Sequence, residues 1–189
     1  MNKLKLSAVI TPEVQGDEQF FARKARSNDF DGLMNPIIGF DHFELTKDVY
    51  GPQPNAGISV INYVFENSAP YHSLDSKGND TIITPGSVSW SSTGKGIVHS
   101  EFPVTEGTAV EGLQLFINTP ASKKQDELKR VLIDHSQIPE IKTEGIRVRV
   151  VCGETGVFVN TVETPESVTI LHVFLKAGKE FSHQLPAQW

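Results

Sequence analysis

The stretch ITPGSVSWSSTGKGIVHSEFP, Ile83 to Pro103, contains two strand-like runs separated by turn residues. In the second run, GIVHSE, His99 and Glu101 alternate with Val98 and Ser100. Side chains at i and i+2 of a strand point to the same side, so His99 and Glu101 share one face. The alternation predicts a half-buried strand. It fits a solvent-facing polar pair as well as the first two ligands of a metal site.

Most of the remaining sequence also consists of short strand-like runs and turns. The pair Pro85-Gly86 divides one such run into two, and DSKGND is typical of a turn. Alternating or β-branched runs predict strands at 56–66, 80–90, 111–118, 145–154, 156–162 and 167–175, with another near Phe181. The sequence therefore predicts an all-β protein.

One segment has a helical pattern. ASKKQDELKRVLID, residues 121–134, follows Thr119-Pro120 and carries Leu128, Val131 and Leu132 at helical spacing. It predicts a helical connector between two β units.

Composition and charge narrow the class of protein. The chain has 189 residues, with 17 basic and 23 acidic side chains and a net charge of -6, which disfavours a nucleic-acid partner. The main basic cluster, FARKARS at 21–27, is interpreted as a solvated face. The single cysteine, Cys152, excludes an intrachain disulfide, favours a reducing compartment and is interpreted as a buried apolar residue.

The sequence lacks several motifs of familiar sites and segments. It has no secretory signal and no apolar run of the ~18 residues that span a bilayer, so we expect a cytoplasmic protein without a membrane partner. It has no dinucleotide fingerprint, phosphate loop or Gly-x-Ser-x-Gly elbow, so no nucleotide cofactor is expected. One cysteine also excludes a thiolate zinc site.

Five segments in order resemble the pirin family of the cupin superfamily. They cover nearly the whole chain: NPIIGFDHF, QPNAGISVINY, ITPGSVSWSSTGKGIVHSEFP, EGLQLFINTP and GIRVRVVCGE. The resemblance implies a cupin (jelly-roll) barrel, that is a double-stranded β-helix, followed by a second, incomplete cupin-like β unit. The expected bounds are an N-terminal cupin domain at 1–120, the helical connector at 121–142 and a partial C-terminal domain at 143–189.

The resemblance also implies a mononuclear metal held by three histidines and a glutamate. His99 and Glu101 match two of these ligands. The first cupin motif of the family carries the other two histidines, and Gln53 and Asn55 stand in their places. An amide offers only a hard, weak carbonyl oxygen where imidazole offers a strong nitrogen ligand for iron, copper or nickel. We therefore expect such a metal to bind weakly or not at all.

Two functions of different classes fit these residues. The first is a pirin-like binding or regulatory protein with a degraded metal site, whose pocket holds either a small ligand, for which an aromatic compound is the candidate, or nothing. The alternative is a metal-dependent enzyme similar to quercetin 2,3-dioxygenase that uses His99 and Glu101. A carboxylate inside a barrel without a cation is costly, so the sequence predicts that Glu101→Ala leaves the thermal stability unchanged or raises it.

None of the other histidines is expected to be a metal ligand. His42 and His72 are weak candidates for replacement ligands, and His135, His172 and His183 are interpreted as surface or satisfied core residues.

The family continues for further strands beyond the point where this chain stops, at Trp189. Ser167 to Leu175 should then lie at an open edge that carries no charge or proline to protect it. A homodimer through this edge is expected, with coverage by the N-terminal segment, Leu4 to Val14, as the alternative.

Overall fold

Short β-strands make up most of the chain in the computed structural model, which describes residues 6–185. The chain divides into two units, Met1–Leu132 and Ile133–Trp189. The strands up to the division are β1 (Glu13–Gly16), β2 (Phe20–Arg26), β3 (Ile37–Leu45), β4 (Gln53–Asn55), β5 (Ile58–Val64), β6 (Tyr71–Asp75), β7 (Asp80–Ile83), β8 (Val88–Ser92), β9 (Ile97–Pro103), β10 (Val110–Asn118) and β11 (Lys129–Ile133). The strands that follow are β12 (Glu140–Thr143), β13 (Ile146–Cys152), β14 (Glu154–Thr155), β15 (Phe158–Val159) and β16 (Ile170–Leu175). Short 3-10 helices span Ser27–Phe30, Ala121–Lys123 and His135–Gln137.

Two sheets form the first unit. A seven-stranded sheet has the order β1-β2-β3-β10-β5-β8-β11, and a four-stranded sheet has the order β4-β9-β6-β7. Residues from β2, β3 and β10 of the first sheet and β4, β6 and β9 of the second line a common cavity. The predicted all-β fold with a cupin barrel is confirmed.

The alternation of residue types explains how each strand faces the interior. In β3 the buried side chains of Asp41, Phe43 and Leu45 alternate with His42 and Glu44, which point away from the interior. One end of the interior between the sheets is an apolar cluster of Ala22, Phe43, Leu45, Val64, Tyr71, Ile83 and Val110. Phe43, Leu45 and Tyr71 of this cluster also line the cavity that contains the polar candidate residues.

The turn before β9 requires glycine. Gly94 has φ +47°, and a Cβ there would lie 1.9 Å from the carbonyl oxygen of Asp126. The N–H of Gly57 also donates to the carbonyl of Gly94 at 2.8 Å. The turn therefore fixes the start of the strand that carries His99 and Glu101.

The second unit contains a three-stranded sheet, β12-β13-β16, and the small β14-β15 hairpin. The carboxylate of Glu140 accepts hydrogen bonds from Arg147 Nε at 3.1 Å and from Arg149 Nε at 3.1 Å. The Arg149 side chain is only 2% exposed, so this carboxylate neutralises a buried charge.

The predicted helix at 121–134 is wrong. Its first residues form one 3-10 turn, Ala121–Lys123, and Lys129–Ile133 is strand β11 at the end of the seven-stranded sheet. Helix propensity is a weak prior, and pairing with β8 overrides it. The division between the two units falls within the predicted connector, 121–142.

The strand predicted near Phe181 is also wrong, because residues 176–185 contain no strand. The N-terminal segment that was expected as a cover begins at Leu4, which lies outside the described residues. Its last two residues, Glu13 and Val14, belong to β1, which pairs with β2. No helix within residues 6–185 is long and apolar enough to cross a membrane.

Candidate functional site

The four residues singled out from the sequence converge on one cavity. Strands β4 and β9 pair antiparallel, with Gln53 opposite His99 and Asn55 opposite Ile97. The side chains of Gln53, Asn55, His99 and Glu101 all line a cavity of about 240 Å³ in the first unit. Val98 lies on the other face of β9 and is 43% exposed.

The carboxylate of Glu101 is surrounded by hydrogen-bond donors and is 11% exposed. Asn62 Nδ2 donates to both of its oxygens, at 3.0 and 3.2 Å. The hydroxyl of Tyr71 donates at 3.0 Å and that of Ser73 at 3.2 Å. Gln114 Nε2 donates to Asn62 Oδ1 at 2.7 Å, which orients the Asn62 amide with its donor towards Glu101.

The imidazole of His99, 13% exposed, is held between an amide and a carboxylate. Its Nε2 lies 2.8 Å from Asn55 Nδ2, and its Nδ1 lies 3.7 Å from Glu101 Oε2. A neutral imidazole accepts the Asn55 hydrogen bond at Nε2. A protonated one requires the amide to turn and present its oxygen. In both cases Asn55 occupies Nε2.

Opposing effects set the ionisation of this pair. Burial by itself raises the pKa of Glu101, but the contacts with His99, Tyr71 and Ser73 outweigh it and hold the pKa below its ordinary value. Burial lowers the pKa of His99, but Glu101 outweighs it and the pKa is raised. Burial and the charge of Glu101 raise the pKa of Tyr71 well above its ordinary value, so its hydroxyl stays a donor. Glu101 is thus a stabilised carboxylate.

An ion pair adjoins this network on its other side. Asp75, 2% exposed, lies opposite His99 in the β6–β9 ladder. Arg130 from β11 donates through Nη1 to Asp75 Oδ2 at 3.1 Å and through Nη2 to Ser73 Oγ at 3.1 Å. Ser73 therefore connects the guanidinium to Glu101.

Aromatic side chains form much of the cavity wall. The rings of Phe20 and Tyr50 meet edge to face with their centroids 4.9 Å apart. The aromatic lining residues are Phe20, Phe43, Tyr50, Tyr71 and Phe116.

The basic cluster at 21–27 contributes to the same cavity. Lys24 and Arg26 line it, and only part of the cluster is the solvated face expected from the sequence. Arg26 pairs with the Asp41 carboxylate through both terminal nitrogens, with Nη2 at 3.2 Å from Oδ2. Arg23 is exposed and lies over the Phe21 ring.

The weak candidates for replacement ligands point away from the cavity. On the outer face of β3, His42 Nε2 lies 2.9 Å from Glu111 Oε1. On the outer face of β6, His72 Nε2 lies 2.6 Å from Asp80 Oδ1. Neither histidine lines the cavity, so neither replaces a missing ligand in this arrangement.

The other reactive residue types lie in the second unit. His183 Nδ1 is 3.0 Å from the Thr155 hydroxyl, and the His172 ring packs 4.1 Å from that of Phe174. His135 begins a 3-10 turn. Cys152 is buried, and burial raises its pKa to about 12, so the thiol is not a nucleophile at neutral pH.

The donor set around the cavity does not fit iron, copper or nickel. Within residues 6–185 no group of three or more His, Cys, Asp or Glu side chains is placed to hold a metal ion. Both oxygens of Glu101 accept hydrogen bonds from protein side chains, and Asn55 occupies Nε2 of His99. A transition metal would have to displace these partners and complete its shell with amide oxygens.

Sequence reasoning missed six residues of this site: Asn62, Tyr71, Ser73, Asp75, Gln114 and Arg130. A signal existed for Asn62, since it is a polar residue inside the β-branched run ISVINYV. Arg130 was placed on the predicted helix, so no argument could bring it to the barrel.

Comparison with known proteins identifies the family. Residues 19–117 match the Pirin family model. The chain belongs to the pirin family. It is 30% identical over 168 residues to Pirin-like protein 2 of Arabidopsis thaliana, covering 88% of this chain and 51% of that relative. It thus spans about half the length of the curated pirins that it matches.

Solved structures share the fold at lower identity. A Geobacillus kaustophilus protein has TM-score 0.80 and 24% identity, covering 93% of this pirin and 70% of that chain. Quercetin 2,3-dioxygenase from Acinetobacter baumannii has a TM-score of 0.74 and 21% identity, and the match covers 88% of this chain and 61% of that chain. A bacterial pirin from Escherichia coli in complex with nickel(II) has a TM-score of 0.57 and 14% identity, and the match covers 77% of this chain and 71% of that chain.

Proposed function

We propose that this pirin is a binding or regulatory protein whose barrel holds a small aromatic ligand without a catalytic metal. One observation carries the proposal: His99 and Glu101, which would face a metal, are hydrogen-bonded to protein side chains, while a cavity of about 240 Å³ lies beside them. A cytoplasmic location, expected from the sequence, is part of the same proposal.

The presence of amide side chains where the resemblance implies histidine ligands supports a site without metal. Redox catalysis needs a tightly held metal with an open coordination position, and this requires several strong ligands. Loss of even an outer-shell partner lowers metal affinity about 10- to 100-fold. Replacing two imidazoles with the amides of Gln53 and Asn55 removes ligands outright, so we expect a far larger loss.

The cavity lining indicates the class of ligand. Phe43, Tyr71 and Phe116 offer apolar and aromatic faces, whereas Gln53 and Gln114 offer hydrogen bonds. A volume of about 240 Å³ is at or below the lower end of the ~300–1,000 Å³ usual for small-molecule pockets. A ligand with one or two aromatic rings and a phenolic or carboxyl oxygen fits these walls.

Elemental analysis of protein purified without added metal tests the absence of a catalytic metal. We expect iron, copper and nickel far below one ion per chain, and thermal unfolding that is unchanged by chelator. Near-stoichiometric metal together with oxidation of quercetin would overturn the proposal in favour of the dioxygenase-like alternative.

Calorimetric titration with p-cresol tests the ligand class. The Tyr50→Ala variant removes a half-exposed ring from the cavity, so we expect affinity to fall about 2- to 12-fold with little change in stability. The matched control is Phe158→Ala, which removes a comparably exposed ring from the second unit and should leave the affinity unchanged. Equal effects of the two substitutions would contradict binding in this cavity.

A further inference from the structure

We propose that Arg130 supplies, from within the barrel, the positive charge that a metal ion would otherwise bring, and that this charge excludes divalent cations from the site. The inference rests on the proposed function, since it explains how the barrel keeps its carboxylates without a metal.

The position of Arg130 supports this role. Its side chain is 16% exposed and reaches from β11 to Asp75, which is 2% exposed. Asp75 and Glu101 belong to adjacent strands that face the same interior, with Asp75 opposite His99 and Ser73 opposite Glu101. Two buried carboxylates in one barrel require compensation, because isolated buried charges are very costly.

The remaining contacts of Asp75 are with uncharged groups. Asn79 Nδ2 donates to it at 2.7 Å, and the backbone N–H of Lys77 donates at 2.8 Å. Arg130 therefore provides the one ion pair formed by this carboxylate within the described residues.

Arg130 also orients the hydroxyl that serves Glu101. Ser73 Oγ accepts a hydrogen bond from Arg130 Nη2 at 3.1 Å and lies 3.2 Å from Glu101 Oε1. A hydroxyl has a single proton, and with an arginine donor on its lone pair that proton is directed to the carboxylate. The guanidinium thus stabilises Asp75 directly and Glu101 through Ser73.

Little space separates the guanidinium from the candidate ligands. A gap of about 10 Å³ is bordered by Arg130, its partner Asp75 and the candidate ligands His99 and Glu101, together with Asn55 and Ser73. A gap of this size has room for about one water molecule, so far less than a layer of solvent separates Arg130 from the pair. A divalent ion at His99 and Glu101 would meet a nearby like charge that water screens poorly.

Nickel(II) titration of engineered variants tests the inference. The parent, the Gln53→His/Asn55→His variant and this variant with Arg130→Gln added are compared by calorimetry and by nickel-dependent thermal unfolding. We expect no tight binding by the parent, weak binding by the double variant and at least tenfold tighter binding once Arg130 is replaced. The matched control adds Lys129→Gln to the double variant, because this removes an exposed positive charge from the adjacent position of β11.

A further variant controls for misfolding that the unpaired, buried Asp75 carboxylate could cause when Arg130 is replaced. Asp75→Asn combined with Arg130→Gln in the two-histidine background removes both members of the ion pair and leaves the net charge unchanged, so we expect its nickel affinity to rise above that of the two-histidine variant by less than the affinity of the Arg130→Gln variant does. Equal nickel affinity with and without Arg130, or no binding by any variant, would overturn the inference. Tight nickel binding by the parent would instead overturn the proposed function.

Discussion

Asn55 Nδ2 lies 2.8 Å from His99 Nε2, so the residue at a position where the resemblance to pirins implies a histidine binds the neighbouring candidate ligand. Asn55 does more than leave out an imidazole ligand, because its amide also occupies Nε2 of His99. Asn62, Tyr71 and Ser73 likewise donate hydrogen bonds to the carboxylate oxygens of Glu101. The polar interior is therefore a closed hydrogen-bond network in its own right.

The first prediction concerns Glu101. Glu101→Gln should lower the free energy of unfolding by about 1–3 kcal/mol, because one carboxylate oxygen becomes an amide NH₂ that faces other donors. Glu101→Ala should cost at least as much, since it leaves Asn62, Tyr71 and Ser73 without their acceptor. Urea unfolding followed by circular dichroism measures both variants.

The control for this prediction is Asp80→Asn. Asp80 also contacts a histidine, His72, but its side chain is 72% exposed, so the substitution should change stability by less than about 0.5 kcal/mol. If Glu101→Gln is as mild as this control, or stabilising, the network does not hold the carboxylate as described.

The sequence predicted the opposite result for Glu101→Ala, and the difference shows the limit of strand-by-strand reasoning. Alternation placed His99 and Glu101 on one face, and the resemblance to pirins assigned Gln53 and Asn55 to the same site. Neither argument could supply Tyr71 and Ser73, which come from a strand paired on the other side of β9. Cross-strand neighbours follow from sheet register, which no local pattern encodes.

The segment that contains Arg130 shows a second limit. Leu128, Val131 and Leu132 have helical spacing, yet the chain there is an added strand at the edge of the large sheet. The strands that were predicted best have strong local signals, such as β5 with its β-branched run ISVINYV. Weakly patterned segments take the structure that the neighbouring sheet edge favours.

The second prediction concerns the turn before β9. Gly94→Ala should destabilise the protein by clearly more than about 1 kcal/mol, since it combines φ +47° with a Cβ 1.9 Å from the Asp126 carbonyl oxygen. Gly78→Ala is the matched control, because Gly78 has φ +86° but nothing within 4 Å of the added Cβ. Thermal unfolding compares the two variants. Equal losses would mean that contact with Asp126 does not constrain the turn.

The third prediction concerns acid stability of the second unit. The hydrogen bond from Arg147, helped by Lys142 and opposed by burial, lowers the pKa of Glu140 from 4.5 to about 2. A lowered folded-state pKa gives stability that is complete above about pH 4.5 and is lost as the pH falls towards 2. Glu140→Gln should therefore destabilise the protein at pH 6, and its difference from the parent should shrink steadily below pH 4.5.

Urea unfolding at several pH values between 6 and 2.5 measures this difference. Glu154→Gln, an exposed carboxylate of the same unit, serves as the control. A Glu140→Gln difference that is independent of pH would contradict the role of the ion pairs.

The last prediction concerns assembly. Strand β16 is an edge of its three-stranded sheet, and Phe174 and Leu175 on it are 38% and 48% exposed. Exposed edges pair with other chains unless charge, proline or a covering element protects them, and Ile170–Leu175 contains neither charge nor proline. We propose a two-fold homodimer in which two copies of β16 pair, and light scattering at micromolar concentration should give twice 20.8 kDa.

Leu175→Lys should shift the protein to monomer because it places like charges at the edge. The control Val157→Lys, at a 90% exposed position outside the sheet, should leave the dimer intact. A parent that scatters as a 20.8 kDa monomer would rule this interface out.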